Sequence, residues 1–112
     1  MPNRVNLFVY GTLMDSMTRN IIIGRLVDYK YRTLKGFERG KLSFNPAYPT
    51  IYKQQGKSVK GMILENLTFD DMLKIVKYET DMYKIESFLD DDYSMIYYFM
   101  ESNGQNDRGA LL

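Results

Sequence analysis

The sequence predicts an α+β fold whose main part is a small, mostly antiparallel β-barrel. An apolar, β-rich run at residues 7–10 opens the chain and ends at Gly11. Short β-rich segments separated by glycine and proline follow between residues 29 and 64, as is typical of a β-meander. Residues 68–79 show the spacing of an amphipathic α-helix. Together these features favour one compact domain of mixed structure.

The first predicted strand covers residues 5–10. Its unbroken apolar run is the pattern of a strand that is buried on both faces. Gly11 at its carboxyl end lets the backbone turn and leaves a gap where a ligand can come close. The N–H groups of such a turn form a concavity that suits a carboxylate or a carbonyl oxygen. An ordinary strand-ending turn fits the glycine equally well.

The middle of the chain is predicted as a loop with a short helix, followed by several short strands. Gly36 and Gly40 indicate bends or bulges, and Pro46 and Pro49 indicate a rigid, non-helical loop. The predicted segments are the loop with a helix at 14–27, strands at 29–37, 42–44, 50–52 and 59–64, the proline loop at 45–49 and a turn at 54–57.

The clearest helix is predicted at residues 68–79. Thr68 is a favourable N-cap, and Asp71 stands three residues later in the capping-box position. Glu79 continues the apolar stripe, which places its carboxylate on the core-facing side of the last turn. The stripe consists of Phe69, Met72, Leu73 and Val76.

Two further strands are predicted at residues 83–89 and 93–100, joined by a turn at Asp90–Asp92. The length of 112 residues fits a single domain, placed at residues 1–101 with a flexible tail at residues 102–112. The three neighbouring aspartates could hold a hard metal, but side chains alternate along extended backbone, so a solvated charged turn is favoured.

The composition limits both the partners and the chemistry. Fifteen basic and 14 acidic residues give a net charge of +1, too weak to indicate a nucleic-acid or membrane partner. The absence of a signal segment, of a long apolar run and of cysteine leads us to expect a cytoplasmic protein. Without cysteine or histidine, acid–base catalysis must use a carboxylate, a lysine or a tyrosine.

Glu79 is the carboxylate that the pattern singles out. An inward glutamate is costly unless it is paired or functional. Burial and the negative end of the helix dipole both raise the pKa of such a group, which suits an acid–base catalyst near neutral pH. Two alternatives remain open on this evidence: Glu79 points into solvent, or it pairs with Lys84 or Arg32.

Four short motifs follow one another along the chain. The first is the YGTL sequence at residues 10–13, after the opening strand. The others are the YPTI sequence at 48–51, the VKGMI sequence at 59–63 and the YETDMYK sequence at 78–84. In this order they resemble the motifs of the γ-glutamylcyclotransferase-like (AIG2/BtrG-like) superfamily. Two positions depart from the common family pattern, since Thr12 replaces serine and Lys84 replaces arginine.

The resemblance implies a compact barrel with flanking helices and a cavity where the glycine turn faces Glu79. It further implies an enzyme that cyclises the γ-glutamyl group of a γ-glutamyl amine or amino acid to 5-oxoproline, with Glu79 as catalytic base. No metal or cofactor is required, and the expected partner is this small substrate alone, bound to a monomer or homodimer. The expected substrate-binding residues are Tyr10, Gly11, Thr12, Leu13, Tyr48 and Tyr83.

Some roles and one whole function stay open at this stage. Tyr10 and Tyr83 either donate their hydroxyls into the cavity or are core tyrosines with satisfied hydroxyls, and Tyr48 either borders the cavity or anchors its loop. The whole fold could instead serve as a non-catalytic module that binds a carboxylate-bearing ligand or a protein. A barrel that stacks single-stranded nucleic acid on residues 29–32 is a weaker alternative, given the near-neutral charge.

Overall fold

The computed structural model describes residues 4–102 and has one five-stranded sheet with two α-helices. The strand order is β2-β3-β1-β5-β4, in which β1 and β5 are parallel and the other neighbours antiparallel. The elements are β1 (Val5–Val9), a 3-10 turn (Thr12–Met14), α1 (Ser16–Ile23), β2 (Asp28–Leu42), β3 (Asn45–Leu67), α2 (Phe69–Glu79), a second 3-10 turn (Thr80–Met82), β4 (Tyr83–Leu89) and β5 (Met95–Glu101).

The sheet curls into a half-barrel, which confirms the predicted α+β class and its mostly antiparallel character. Strand β1 lies at its centre, between β3 and β5. Successive side chains of a strand point to opposite faces. Leu7 and Val9 therefore pack in the cluster that the two helices cover, whereas Phe8 and Tyr10 pack in the cluster on the other face. This double burial explains the unbroken apolar run.

The short strands predicted for the middle of the chain are in fact two long strands, so that prediction is wrong in detail. Strands β2 and β3 have 15 and 23 residues and pair with each other along most of their length. The predicted turn at 54–57 lies inside β3, where the register shifts opposite Gly36. Gly36 and Gly56 both have a φ of 85°, so the bulge predicted near Gly36 is confirmed.

The predicted strand at 42–44 and the proline loop at 45–49 also need correction. Leu42 ends β2, and residues 43–44 form the turn of the hairpin. Residues 45–49 already belong to β3. The two prolines are tolerated because β1 pairs only with residues 62–67 of β3, so the start of β3 is paired on one side only.

The capping box of α2 is confirmed. The Asp71 amide donates to Thr68 Oγ1 at 3.1 Å, and the Thr68 amide donates to Asp71 Oδ2 at 2.8 Å. The Asp71 carboxylate also pairs with Arg25 at 2.5 Å. Burial by itself raises the pKa of Asp71, but these hydrogen bonds outweigh it and the net pKa is lowered.

The apolar stripe predicted for the core-facing side of α2 is mostly wrong. Phe69, Leu73 and Val76 are 74, 47 and 39% exposed. The buried side instead carries Asp71 and Ile75, with Glu79 half-buried one turn further on. Asp71 can lie on the buried side because the capping box and the Arg25 pair satisfy its carboxylate. Glu79 faces inward because it continues this 71–75–79 row.

The last elements follow the prediction closely. The turn at Asp90–Asp92 joins β4 to β5, and Asp90 accepts two hydrogen bonds from Arg32. Of the predicted tail, only Ser102 is described, and its amide donates to the carbonyl of Met82 at 2.9 Å. The remainder of the predicted tail lies outside the described residues. Neither α1 nor α2 has the length and apolar character that a membrane-spanning helix needs.

Candidate active site

A cavity of about 230 Å³ lies where the end of β1 meets the end of α2. Among its lining residues are all seven that the sequence assigned to a site: Tyr10, Gly11, Thr12, Leu13, Tyr48, Glu79 and Tyr83. The cavity is smaller than the roughly 300–1,000 Å³ typical of sites for drug-sized ligands. It therefore suits a small molecule, or one end of a larger one.

Glu79 is half-buried on the cavity wall and is left without a hydrogen bond or ion pair to any residue within 4–102. The two cations that could have paired with it are engaged elsewhere. Lys84 lies 3.8 Å from Glu86, and Arg32 lies 2.7 Å from Asp90. Burial raises the pKa of Glu79 to about 7. Near neutral pH its carboxyl group can therefore both accept and return a proton.

The glycine turn, residues 11–13, lines the same cavity. The hydrogen bonds of this segment begin with the Met14 amide, which donates to the Gly11 carbonyl at 3.0 Å. In the described part of the chain, the amides of residues 11–13 thus have no backbone acceptor, as expected for the first N–H groups of a helical turn. They are available to an anionic or carbonyl oxygen.

Gly11 is required by a close approach rather than by a left-handed backbone. Its φ is −130°, and a Cβ at this position would lie 3.3 Å from Cγ of Pro49. Pro49 also lines the cavity. A side chain at position 11 would therefore narrow the space between the glycine turn and the start of β3.

The tyrosine hydroxyls in the cavity wall are held by backbone carbonyls. Tyr10 donates to the carbonyl of Phe99 and Tyr83 to that of Pro49, both at 2.6 Å. Burial, followed by the neighbouring charges, raises the pKa of Tyr10, and raises that of Tyr83 to about 12. Both side chains are therefore neutral near pH 7, with their protons already donated. Tyr48 is 46% exposed and borders the cavity.

Two residues that sequence reasoning missed lie beside Glu79. The Tyr78 hydroxyl is hydrogen-bonded to Oγ1 of Thr12, which links α2 to the glycine turn. The buried row of α2 would have indicated Tyr78, had its true face been recognised. Thr80 has a φ of 66°, which is strained for a β-branched residue and often marks functional sites. No sequence signal would have identified Thr80, because threonine is not typical of that conformation.

Comparison with protein families settles where this fold belongs. The model of the family described as "Gamma-glutamyl cyclotransferase, AIG2-like" matches residues 7–111. The chain belongs to this family. AIG2-like protein C of Arabidopsis thaliana is 31% identical over 74 residues, which cover 66% of this chain and 42% of the relative. AIG2-like protein B of the same plant is 29% identical over 83 residues, or 74% of this chain and 48% of the relative.

Solved structures share the fold of this AIG2-like chain. A protein of Arabidopsis thaliana determined in solution has a TM-score of 0.73 and 26% identity, covering 90% of this chain and 70% of that one. A structure titled gamma-glutamyl cyclotransferase has a TM-score of 0.64 at 13% identity, covering 88% of this chain and 66% of that one, and shows the fold alone. The present chain spans about half the length of the curated relatives it matches.

Proposed function

We propose that this chain is a γ-glutamyl cyclotransferase-type enzyme. It would convert the γ-glutamyl group of a γ-glutamyl amine or amino acid to 5-oxoproline and release the amine. The observation that carries the proposal is a half-buried Glu79 carboxylate that has no partner among residues 4–102 and lines one cavity together with residues 11–13, whose amides have no backbone acceptor in that range. Family membership supports the same class of chemistry.

The reaction needs one proton carrier and no nucleophile from the protein. The Glu79 carboxylate takes a proton from the substrate's α-ammonium group, and the resulting amine attacks the γ-carbonyl carbon of the same molecule. A new C–N bond forms, and the carbonyl oxygen becomes an oxyanion. Protonated Glu79 then gives its proton to the leaving nitrogen, the old C–N bond breaks and the carbonyl re-forms. Glu79 also takes the second proton from the new ring nitrogen, which becomes the lactam N–H, and this proton leaves with the released amine as its ammonium form. Protons and electrons balance without water or any co-reactant.

The glycine turn would supply the electrostatic part of catalysis. Amides of residues 11–13 can bind the substrate's carboxylate or stabilise the developing oxyanion. The described residues that line the cavity include no lysine or arginine, so the donors available there are backbone amides and side-chain hydroxyls. Holding the amine against its own γ-carbonyl in so small a space also lowers the barrier through proximity.

The tyrosines would shape the cavity rather than transfer protons. Tyr10 and Tyr83 keep their hydroxyl protons on backbone carbonyls, so their rings form fixed walls around the γ-glutamyl group. Tyr48 at the exposed edge would contact the leaving amine. The cavity holds the reacting end of the substrate, and the amine extends outward past Tyr48.

The test is direct detection of 5-oxoproline after incubation with a panel of γ-glutamyl amines, γ-glutamyl amino acids and glutathione. We expect turnover of at least one of them and a loss of at least about 100-fold in kcat for Glu79→Gln. The matched control is Glu65→Gln, because Glu65 lies outside the cavity wall and its ion-pair partner is Lys30. Full activity of Glu79→Gln would overturn the assignment of the base.

Ligand binding separates this proposal from the alternative of a non-catalytic module. Binding of 5-oxoproline is measured by NMR titration of the wild type and of Glu79→Gln. An enzyme of the proposed kind binds the product and turns over a substrate. Binding without turnover of any compound in the panel would support the module instead.

A further inference from the structure

Arg19 is a buried cation that binds the backbone of the glycine turn and its continuation. The residue is 6% exposed, and its Nη1 donates to the carbonyls of Leu13 at 3.1 Å and of Met14 at 2.7 Å and to Sδ of Met62 at 3.3 Å. The guanidinium also lies 4.7 Å from the ring centroid of Tyr29. None of the ion pairs found within residues 4–102 includes Arg19.

The burial of this charge calls for an explanation beyond packing. A buried charge costs several kcal/mol unless its partners compensate, and an apolar side chain of similar volume is often as stabilising or more so. Arg19 is compensated by two carbonyl dipoles and the face of an aromatic ring, rather than by a paired carboxylate. Those carbonyls belong to the backbone that directly follows the amides of residues 11–13.

Arg39 holds the other end of the same turn. It donates from Nη1 to the carbonyl of Tyr10, and its guanidinium lies 5.9 Å from the centroid of the Tyr10 ring. In a trans peptide unit the carbonyl and the following N–H point in opposite directions. A cation that fixes the Tyr10 carbonyl therefore also fixes the direction of the Gly11 amide.

We propose that Arg19 and Arg39 are positioning residues that orient the amides of residues 11–13 toward the cavity. Arg39 fixes the Tyr10 carbonyl and with it the Gly11 amide. Arg19 fixes the Leu13 and Met14 carbonyls and with them the Met14 and Asp15 amides. These two amides donate to the carbonyls of Gly11 and Thr12, which in turn sets the direction of the Thr12 and Leu13 amides. This role rests on the proposed function. It extends that function to two side chains that do not line the catalytic cavity.

The experiment compares Arg19→Met and Arg39→Met with Arg4→Met as the matched control. Methionine keeps an apolar stem of similar length and removes the charge and the donors. Arg4 is a suitable control because it also donates to a backbone carbonyl, that of Asn66 at 3.3 Å, but on the exposed surface. Arg19→Lys serves as the conservative variant, since it restores the charge without the fork of donors.

Kinetics provide the first readout. We expect Arg19→Met and Arg39→Met each to lower kcat for 5-oxoproline formation by about tenfold or more, because misplaced amides of the glycine turn would mainly weaken the binding of the transition state. The midpoint of the acid limb of the pH profile should stay unchanged, since Glu79 is untouched. Arg19→Lys should recover part of the loss. Activity of Arg19→Met and Arg39→Met equal to that of Arg4→Met would overturn the proposal.

Hydrogen exchange provides a readout that does not depend on turnover. The Met14 and Asp15 amides are bonded to the carbonyls of Gly11 and Thr12. In Arg19→Met their exchange should accelerate by about tenfold or more, while amides in β4 and β5 keep wild-type rates. Absence of turnover in the wild type would refute the proposed function. Unchanged exchange of the Met14 and Asp15 amides in Arg19→Met would refute the positioning role, whether or not the wild type turns over. If Arg19→Met does not fold, the test uses Arg39→Met, because Arg39 is exposed. In this variant the chemical-shift change of the Gly11 amide on binding of 5-oxoproline, followed by NMR, should be smaller than in the wild type.

Discussion

The hydroxyl of Tyr78 is hydrogen-bonded to Oγ1 of Thr12, so the helix that carries Glu79 is joined directly to the glycine turn across the cavity. The two elements come from opposite ends of the domain sequence, and their relative position sets the distance between the proposed base and the amides. A hydrogen bond at this point therefore acts on the site more than on overall stability.

The substitutions Tyr78→Phe and Thr12→Val should each reduce kcat/KM by several-fold and lower the free energy of unfolding by only about 0.5–1.5 kcal/mol. Thr12→Ser keeps the hydroxyl and should remain close to wild type. In a double-mutant cycle, Tyr78→Phe combined with Thr12→Val should lose little more than either single variant, because both remove the same bond. Fully additive losses would show that the contact does not couple the two elements.

The raised pKa of Glu79 predicts the pH dependence of activity. A base must be ionised to accept the α-ammonium proton, so kcat/KM should rise with pH along a limb whose midpoint is about 7. The measurement is initial-rate 5-oxoproline formation from pH 5 to 9 with substrate well below KM. An acid limb centred near 4.5, the ordinary glutamate value, would mean that burial does not control the group.

The titration of Glu79 should also make the stability of the protein depend on pH. Activity should rise with pH, whereas the free energy of unfolding should fall. The folded-state pKa lies above the unfolded one, so Glu79 binds its proton more tightly in the folded protein. Its contribution is fully present below pH 4.5 and is lost as the pH rises to about 7. Glu79→Gln has no carboxyl group at this position, so its free energy of unfolding does not change with pH for this reason. Its free energy of unfolding relative to wild type should therefore increase between pH 4.5 and 8 by up to about 3 kcal/mol.

Urea denaturation of wild type and Glu79→Gln at both pH values gives this difference, and other titrating groups cancel in the comparison. Glu65→Gln, at a glutamate outside the cavity, should show no comparable increase. A constant offset between Glu79→Gln and wild type at the two pH values would contradict the raised pKa.

Gly61 on β3 should be intolerant of any side chain. A Cβ there would lie 2.4 Å from the carbonyl oxygen of Val9 and 2.5 Å from Cζ of Phe8. Backbone cannot yield as a flexible side chain can, so Gly61→Ala should separate β1 from β3 and cost at least about 1–3 kcal/mol. Lys60→Ala, at the exposed neighbouring position, should cost within about 0.5 kcal/mol. Thermal unfolding of both variants gives the comparison, and equal midpoints would show that β3 can shift away from β1.

Local sequence identified the parts of this fold that local chemistry determines. The apolar run before Gly11 indicated a strand buried on both faces, and Thr68 with Asp71 indicated the start of α2. The motifs at both ends of the cavity also brought Gly11 and Glu79 together correctly, since both lie in its wall.

The errors arose where distant partners decide the outcome. Strands β2 and β3 remain continuous through glycines and prolines because each supports the other across the sheet, and a single-segment pattern contains no such information. The predicted core-facing side of α2 was wrong because Asp71 is buried there, with its carboxylate satisfied by the capping box and by Arg25, which lies 46 residues earlier in the chain. Apolar periodicity alone cannot register an ion pair of that kind.

The true buried side of α2 can be tested with two adjacent residues of similar size. Ile75 is fully buried at 0% exposure, whereas Val76 is 39% exposed although it belongs to the apolar stripe. Ile75→Ala should lower the free energy of unfolding by about 2–5 kcal/mol, because it leaves a cavity in the core. Val76→Ala should cost less than about 1 kcal/mol, since its side chain already contacts solvent. Denaturation in urea measures both, and a larger loss for Val76→Ala than for Ile75→Ala would mean that α2 packs against the core through the stripe.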